Sequence, residues 1–300
     1  MKYRTGPAFR QALTPHLSTE QQKSRRSLQR IEQRIAFDRL LARLVAVAPG
    51  QWVLKGGLAL DFRLGNLART TQDIDLAWIK DTDTVDAALQ NAADHDLGDY
   101  FVFHVERSDS FDDADVGGAV RYNVTCNLAG RQYVRFHLDV GMSPPVLLGE
   151  PDALSGMRLL SFAGLEPVTI LVLPLAQHIA EKVHAYTRTY GPQNRPSSRV
   201  KDLVDLVLIQ QHERLSSKNL RDVLEQVFTL RGTPPRPTRL APPPENWRTQ
   251  YRRMAATLAI PTDLDEGYRL ADAFLTPVLN GTVGDEYVWE PEGGLWAKLA

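Results

Sequence analysis

One stretch of the sequence, residues 51–79, constrains the fold of this chain more than any other. The apolar run Trp52–Leu54 is typical of a buried strand, and the pair Gly56–Gly57 separates it from a short helical pattern. The stretch ends in a D-I-D-L run beginning at Asp73, where acidic and apolar residues alternate with the period of a strand. This order of strand, paired glycines, helix and acidic strand predicts an α/β fold with a binding site at the glycines.

The acidic residues of this stretch predict a metal site. Side chains alternate along a strand, so Asp73 and Asp75 project from one face, roughly 6.5–7 Å apart. That spacing lets their oxygens converge on one or two divalent ions, and Mg²⁺ prefers carboxylate oxygens together with substrate phosphate. Gly56 and Gly57 complement these acids, because glycine lets backbone N–H groups approach a phosphate closely.

The same residues resemble a known group of enzymes. A glycine pair followed by D-x-D is similar to the signature of the polymerase-β-like nucleotidyltransferase superfamily. More narrowly, K-G-G-x-A-L from Lys55 and R-x-T-x-D-I-D from Arg69 resemble the AbiEii/AbiGii-type (MenT-like) toxins of type IV toxin–antitoxin systems. Leu58 stands where the superfamily usually has Ser or Thr, which removes one expected phosphate-binding hydroxyl. The resemblance covers roughly residues 50–210.

The resemblance implies a fold and a function. The fold is a mixed-sheet α/β lobe followed by a helical C-terminal lobe. The activity is a nucleotidyltransferase reaction that uses an NTP and Mg²⁺ or Mn²⁺ to add a nucleotide to the 3′ acceptor end of tRNA, which blocks translation. The implied partner is a separately encoded antitoxin. Two alternatives stay open: a nucleotidyltransferase acting on protein or a small molecule, and a non-catalytic protein that binds nucleic acid or a partner on the same fold.

The segment Gln132–Val140 predicts another strand, with one apolar and one polar face. Arg135, His137 and Asp139 alternate with apolar residues along it. If this strand lies beside the Asp73 strand, three carboxylates share one face, and the resemblance makes Asp139 the third metal-facing acid. The alternative is a surface carboxylate at the end of a strand.

Two helical patterns in the second half carry further candidates. The run A-E-K-x-H-A around Lys182 resembles the family's lysine-bearing motif, whose ammonium meets the triphosphate; an ordinary helix-surface charge is the alternative. The run R-x-K-D-L-x-D-L resembles the family's last motif, in which an Asp completes the active site. Asp202 and Asp205 share one helix face, and as first-turn acids both also suit the helix dipole.

The sequence does not separate these two acids, and Asp202 is slightly favoured. With Asp73, Asp75 and Lys182 it completes the expected catalytic set. By the same resemblance, the residues expected to bind the nucleotide are Lys55, Gly56, Gly57, Arg69, Thr71, Arg199, Lys201 and Asp205.

Composition sets the remaining limits. The chain of 300 residues has one cysteine, Cys126, which excludes an internal disulfide and fits a reducing compartment. The sequence contains neither a membrane-length apolar run nor a signal-peptide pattern, so the cytoplasm is expected. Net charge is only −1, but residues 1–69 carry 13 Lys and Arg against 4 acids, and residues 70–115 carry 13 acids against 2 basic residues. Such segregation suits a polyanion beside a metal centre, although differently charged solvated helix faces explain it equally well.

Periodicity and turn residues predict the organisation of the chain. An irregular arm is expected up to residue 17, because of its prolines, and then one long helix over 18–47. An acidic loop is expected at 109–118 and a linker at 191–198. The tail, residues 281–300, is expected to pack back on the helical lobe through its tryptophans. The expected division of the chain is an arm and helix at 1–48, an α/β lobe at 49–173 and a helical lobe at 174–300.

Overall fold

A computed structural model describes residues 1–24, 26–108, 118–141, 146–190, 195–196 and 199–299. The acidic loop expected at 109–118, except its last residue, lies outside the described residues. So does the expected linker at 191–198, except for residues 195–196. The chain divides into two compact units. Unit 1 comprises residues 1–66, 70–146 and 151–173, and unit 2 comprises residues 67–69, 147–150 and 174–300.

Unit 1 is a mixed sheet with helices. In chain order its elements are α1 (Gly6–Ser24), α2 (Leu28–Val47), β1 (Trp52–Lys55), α3 (Gly56–Leu64), β2 (Asp73–Trp78), α4 (Val85–Asp94), β3 (Phe101–Arg107), β4 (Ala119–Leu128), β5 (Arg131–Gly141), β6 (Asp152–Ser155) and β7 (Thr169–Val172). The seven strands lie in the order β3-β4-β5-β2-β1-β7-β6. Strands β2 and β5 are parallel, as are β1 and β7, and the other neighbours are antiparallel. The expected mixed-sheet α/β architecture is confirmed.

One face of this sheet is the core of unit 1. Ile74 and Leu76 of β2 and Leu138 of β5 are fully buried, because alternate residues of each strand point to the same side. Helix α2 packs on this face, where Phe37 meets Phe136 edge to face at 4.8 Å between ring centroids. The residues between these apolar positions therefore project from the opposite face of the sheet.

The N-terminal prediction was wrong. Instead of an irregular arm and one helix, the chain forms α1, which ends at Ser24, and the separate helix α2, which begins at Leu28. Pro7 lies in the first turn of α1, where no helical partner needs its missing N–H. Phe9, Leu13 and Leu17, at four-residue spacing, are buried along one stripe. Burying each such side chain contributes about 1.5–3 kcal/mol. The three side chains together therefore outweigh the cost of about 3 kcal/mol for Pro15 inside the helix.

Unit 2 is mostly helical, as expected. Its elements are α5 (Leu175–Thr187), β8 (Thr189–Tyr190), β9 (Arg195–Pro196), α6 (Val200–His212), β10 (Leu215–Ser216), α7 (Ser217–Arg231), α8 (Arg248–Ala255), α9 (Leu264–Leu279), β11 (Tyr287–Glu290) and β12 (Leu295–Lys298). The tail packs back through Trp289 and Trp296, whose indole N–H groups donate to backbone carbonyls of α6 and α9. Its hairpin, β11 with β12, was not predicted, because the short strands show no clear alternation.

No helix in the part of the chain that the structure describes is long and apolar enough to cross a bilayer.

A buried ion pair fixes α2 to the segment before β3. Arg43 donates to both carboxylate oxygens of Asp99, at 3.0 and 2.6 Å, and to the Phe101 carbonyl at 2.7 Å. The side chains of Arg43 and Asp99 are 1% and 0% exposed. Removing one partner would leave the other charge buried and uncompensated.

Replacing Asp99 by Ala is therefore expected to lower the free energy of unfolding by about 3–5 kcal/mol. Urea denaturation measures the change. Asp83→Ala, at an exposed position, is the matched control and should leave stability nearly unchanged. Equal shifts for the two variants would contradict a stabilising role for the Arg43–Asp99 pair.

Candidate active site

The pairing of β2 with β5 brings the predicted acids of unit 1 together. In this parallel pair Asp75 lies beside Asp139 and Asp73 lies beside His137. Neighbouring strands are about 4.8 Å apart, and residues in register share one face, so the three carboxylates project from the same side of the sheet. All three acids are half-buried. The expectation that the Asp139 strand lies beside the Asp73 strand is confirmed.

Positive charges flank the two acids at the centre of this face. The antiparallel partner of Asp75 in β1 is Lys55, and the antiparallel partner of Asp139 in β4 is Arg121. The sheet therefore carries an in-register row of charges across four strands, in the order positive, negative, negative, positive: Lys55, Asp75, Asp139 and Arg121.

Arg121 is a site residue that sequence reasoning missed. Its Nε donates to Oδ1 of Asp139 and its Nη2 donates to Oδ2, each at 2.7 Å. The hydrogen bonds that Asp139 accepts raise the pKa of Arg121 above its ordinary value, and the negative charges of Asp139, Asp73 and Asp75 raise it further. In the sequence, Arg121 stands between Val120 and Tyr122, but only the strand register shows that it faces Asp139.

The glycine pair lies where β1 turns into α3. Gly56 has a φ of +66°, a conformation that glycine adopts without strain. A Cβ built on Gly56 would lie 1.9 Å from Oδ2 of Asp75, so the backbone and this carboxylate are in direct contact. Gly57 is buried within the first turn of α3. The hydroxyl of Thr71, a residue expected to bind the nucleotide, donates to the backbone carbonyl of Asp73 at 3.3 Å.

These side chains fit a divalent cation chemically. Carboxylate oxygens are the ligands that Mg²⁺ and Mn²⁺ prefer, and three carboxylates attract the guanidinium of Arg121 to the same face. Among the described residues no three acidic, His or Cys side chains form a ready-made metal cluster. In this structure the Asp139 carboxylate accepts hydrogen bonds from Arg121.

A polar groove of about 880 Å³ opens beside Asp73. Strand β2 pairs only with the second half of β5, from His137 to Gly141. The groove lies along the first half of β5, which begins at Arg131. Most of its lining is amide, hydroxyl or charged, and the polar side chains are those of Ser27, Gln29, Arg30, Gln33, Thr70, Gln72, Asp73, Glu106, Asn123, Thr125, Arg135 and His137. Charged side chains of both signs line the groove, so its net charge is close to zero.

Unit 2 contains a second charged cluster, made from predicted residues. Lys182 of α5 donates to Asp202 Oδ1 at 3.1 Å and to Asp205 Oδ2 at 2.6 Å, both on α6. Arg69 binds both oxygens of Asp205, at 2.7 and 2.9 Å. Lys182 is 6% exposed, and Asp202 and Asp205 are 4% and 0% exposed. The two basic and two acidic side chains therefore form a buried network.

Burial and ion pairing act in opposite directions on the pKa values of this network. Burial alone would raise the pKa of Asp205, but the positive charges of Arg69 and Lys182 lower it to about 2. Burial alone would lower the pKa of Lys182, but Asp205 and Asp202 raise it above its ordinary value. Asp205 and Lys182 are therefore both ionised at neutral pH.

The structure separates the two acids that the sequence could not. Both oxygens of Asp205 accept hydrogen bonds from Arg69 or Lys182. Asp202 uses Oδ1 for Lys182, while its Oδ2 is buried with no hydrogen-bond partner among the described residues. Of the other predicted residues here, Arg199 immediately precedes α6 and Lys201 is exposed.

The glycine pair at the strand–helix turn therefore lies against a carboxylate of β2, and the parallel neighbour β5 carries another in register with it. The family model for the nucleotidyl transferase AbiEii toxin of type IV toxin–antitoxin systems matches residues 39–275. The chain belongs to this family and is a nucleotidyltransferase of the toxin–antitoxin class. The family and the enzyme class predicted from the sequence are confirmed.

The chain is similar to solved structures, and the first one described here has the same fold. The nucleotidyltransferase toxin MenT4 from Mycobacterium tuberculosis H37Rv is 18% identical, with a TM-score of 0.58 over 92% of this chain and 91% of that chain. JHP933 from Helicobacter pylori is 15% identical, with a TM-score of 0.47 over 83% of this chain and 93% of that chain. No curated relative matches the chain.

The contact between Gly56 and Asp75 generates a prediction. Gly56→Ala places a methyl group on the Asp75 carboxylate and should lower the rate of nucleotide transfer by more than about tenfold, which corresponds to 1.4 kcal/mol or more in the barrier. Gly50→Ala is the matched control. Gly50 has a φ of +65° and no neighbour within 4 Å, so an alanine there introduces the same backbone strain without a steric clash. Initial rates with a labelled NTP, together with thermal unfolding midpoints, measure both variants. Equal losses of activity would show that strain, rather than displacement of Asp75, is responsible.

The Arg69–Asp205 pair generates a second prediction. Because the folded pKa of Asp205 is about 2, against an ordinary value of 3.8, its stabilisation is complete above the ordinary pKa and is lost as pH falls toward the folded one. Of the two positive charges that lower the pKa of Asp205, that of Arg69 has the larger effect. Arg69→Gln removes this charge and should lower the free energy of unfolding by about 2 kcal/mol at neutral pH.

The gap between wild type and Arg69→Gln should narrow as pH falls below about 4, because Asp205 becomes protonated as pH falls. Urea titrations across this range measure it. Lys218→Gln, which removes an exposed partner of Asp222, should show no comparable gap at any pH. A gap that stays constant with pH would mean that Arg69 stabilises unit 2 through packing alone.

Proposed function

We propose that this nucleotidyltransferase transfers a nucleoside monophosphate from an NTP to the 3′ acceptor end of tRNA, in a reaction that depends on Mg²⁺ or Mn²⁺ and blocks translation. The observation that carries the proposal is the register of β2 and β5, which places Asp75 beside Asp139 on the face where Asp73 also lies. The close approach of Gly56 to Asp75 adds a phosphate-binding backbone next to these acids.

Each residue of unit 1 has a proposed task. Asp73, Asp75 and Asp139 would hold the divalent cation, which would supply positive charge to the phosphates and favour ionisation of the acceptor hydroxyl. Backbone N–H groups at Gly56 and Gly57 and the ammonium of Lys55 bind the triphosphate. Lys55 suits this role because its Nζ lies near the end of β5, 3.5 Å from where a Cβ on Gly141 would be.

The reaction balances as a simple displacement. The acceptor 3′ oxygen forms a bond with the α-phosphorus, and the bond from that phosphorus to the bridging oxygen of the β-phosphate breaks. Pyrophosphate leaves, and the hydroxyl proton passes to a carboxylate of this face. In unit 2, Lys182 is proposed as a phosphate-binding residue and Asp202 as a catalytic acid, with Asp205, Arg69, Arg199 and Lys201 in supporting nucleotide-binding roles, as the family's motifs imply.

The groove beside Asp73 supports a single-stranded nucleic-acid acceptor. Its volume of about 880 Å³ lies within the range of roughly 300–1,000 Å³ typical of small-ligand sites, which suits a few nucleotides better than a duplex. Amides such as Asn123 and Gln72 can pair with base edges, and arginines such as Arg135 can contact phosphates. A protruding 3′ end therefore fits the groove both in size and in chemistry.

Family membership also implies a partner. A toxin of a type IV system works beside an antitoxin, and we propose that a separately encoded antitoxin protein restrains this enzyme. We place the reaction in the cytoplasm, where tRNA and NTPs meet.

Labelled NTPs supplied with Mg²⁺ to purified tRNA, total protein and small-molecule acceptors test the proposal. Label is expected at the 3′ end of tRNA and to disappear on chelation of the metal. Asp73→Asn should reduce labelling at least about a hundredfold, as expected when transition-state charge loses its support, and should relieve growth arrest. Asp83→Asn, an exposed acid, is the matched control and should remain fully active.

Label found on protein or on a small molecule would redirect the assignment of the acceptor while leaving the enzyme class in place. Full growth arrest by Asp73→Asn would contradict a catalytic role for this acid and would point to toxicity by binding.

A further inference from the structure

Arg121 and Asp139 form a bidentate ion pair within the row of carboxylates. The two hydrogen bonds are each 2.7 Å long and join the fork of the guanidinium to both carboxylate oxygens. The two side chains are 27% and 17% exposed, so water screens the pair only in part. Paired charged hydrogen bonds of this kind are among the stronger polar contacts in proteins.

The guanidinium acts on more than one acid. Asp73 and Asp75 also attract Arg121 electrostatically, so one positive charge is shared by three carboxylates. These three carboxylates are the donor set that fits a divalent cation. A cation bound by them would be repelled by Arg121, because two positive charges would then lie against the same carboxylates, and the repulsion is larger for a divalent ion.

We propose that Arg121 is a built-in counter-ion that competes with the divalent cation for Asp139 and releases this carboxylate when the cation binds. The inference rests on the proposed function, because the cation is the one that serves nucleotide transfer. Its consequence is that the three acids can fold beside one another without metal, and that the cation binds weakly until the phosphates of the nucleotide add negative charge.

The other end of the charged row differs from Arg121. Lys55 lies in register with Asp75, but the close neighbour of the Asp75 carboxylate is the backbone of Gly56. A lysine ammonium is a mobile point charge, whereas the arginine fork matches both oxygens of one carboxylate. The competition is therefore assigned to Arg121 alone.

Mn²⁺ titration of the full-length protein without nucleotide tests the inference, with free Mn²⁺ followed by electron paramagnetic resonance. Arg121→Gln is expected to bind Mn²⁺ at least tenfold more tightly than wild type. Arg107→Gln removes an arginine of the neighbouring strand that pairs with Asp86 on an exposed surface, and it should leave Mn²⁺ affinity unchanged. Arg121→Lys, which keeps the charge but loses the fork, should bind with an affinity between those of wild type and Arg121→Gln.

A double-mutant cycle shows whether Asp139 is the carboxylate in competition. In the Asp139→Asn background, Arg121→Gln should change Mn²⁺ affinity by less than threefold, because the contested ligand is gone. Unchanged or weaker Mn²⁺ binding by Arg121→Gln, in protein with a normal thermal unfolding midpoint, overturns the inference and makes Arg121 a residue that orients Asp139 for the metal.

This test is separate from that of the proposed function. The affinities are measured without NTP or acceptor, whereas the proposed function fails if wild-type protein transfers no label to tRNA. Transfer by wild type combined with equal Mn²⁺ affinities for wild type and Arg121→Gln would remove the inference alone.

Discussion

The parallel pairing of β2 with β5 is the interaction on which the site in unit 1 depends. A shift of one residue in a strand moves every side chain to the other face. Here the register is fixed by the buried side of the sheet, where Ile74 and Leu138 lie side by side in the core. The apolar core of unit 1 therefore determines that Asp75 and Asp139 meet on the opposite face.

Collecting like charges on one sheet face is unfavourable unless positive charge is supplied. The strands themselves supply it, since Lys55 and Arg121 lie at the two ends of the same row. The row is thus close to neutral before any ligand arrives, and the apolar face need not offset the repulsion of unpaired acids. This electrostatic balance explains how a metal-type arrangement of carboxylates can belong to a stable sheet.

The sequence predicted much of this site because its signals are local. Alternation along one segment assigned Asp73 and Asp75 to a polar face, alternation along a second segment did the same for Asp139, and the glycine pair marked the turn after β1. Arg121 was missed because its partner is set by the β4–β5 pairing, which contains an irregularity near Cys126. The pairing of Arg69 with Asp205 spans 136 positions, so no local pattern could indicate it. Helix α1 was missed because local rules weigh Pro15 against a helix, whereas the burial of Phe9 and its neighbours is a tertiary effect.

The two acids of the network in unit 2 differ in how their oxygens are hydrogen-bonded. A purely structural ion network is expected to satisfy all its polar atoms, because a buried unpaired oxygen costs free energy without return. Asp205 meets this expectation, since both its oxygens are bound by Arg69 or Lys182. Asp202 does not, because its Oδ2 has no partner among the described residues. This difference is the basis for proposing Asp202, rather than Asp205, as the catalytic acid, with Asp205 holding Lys182 in place.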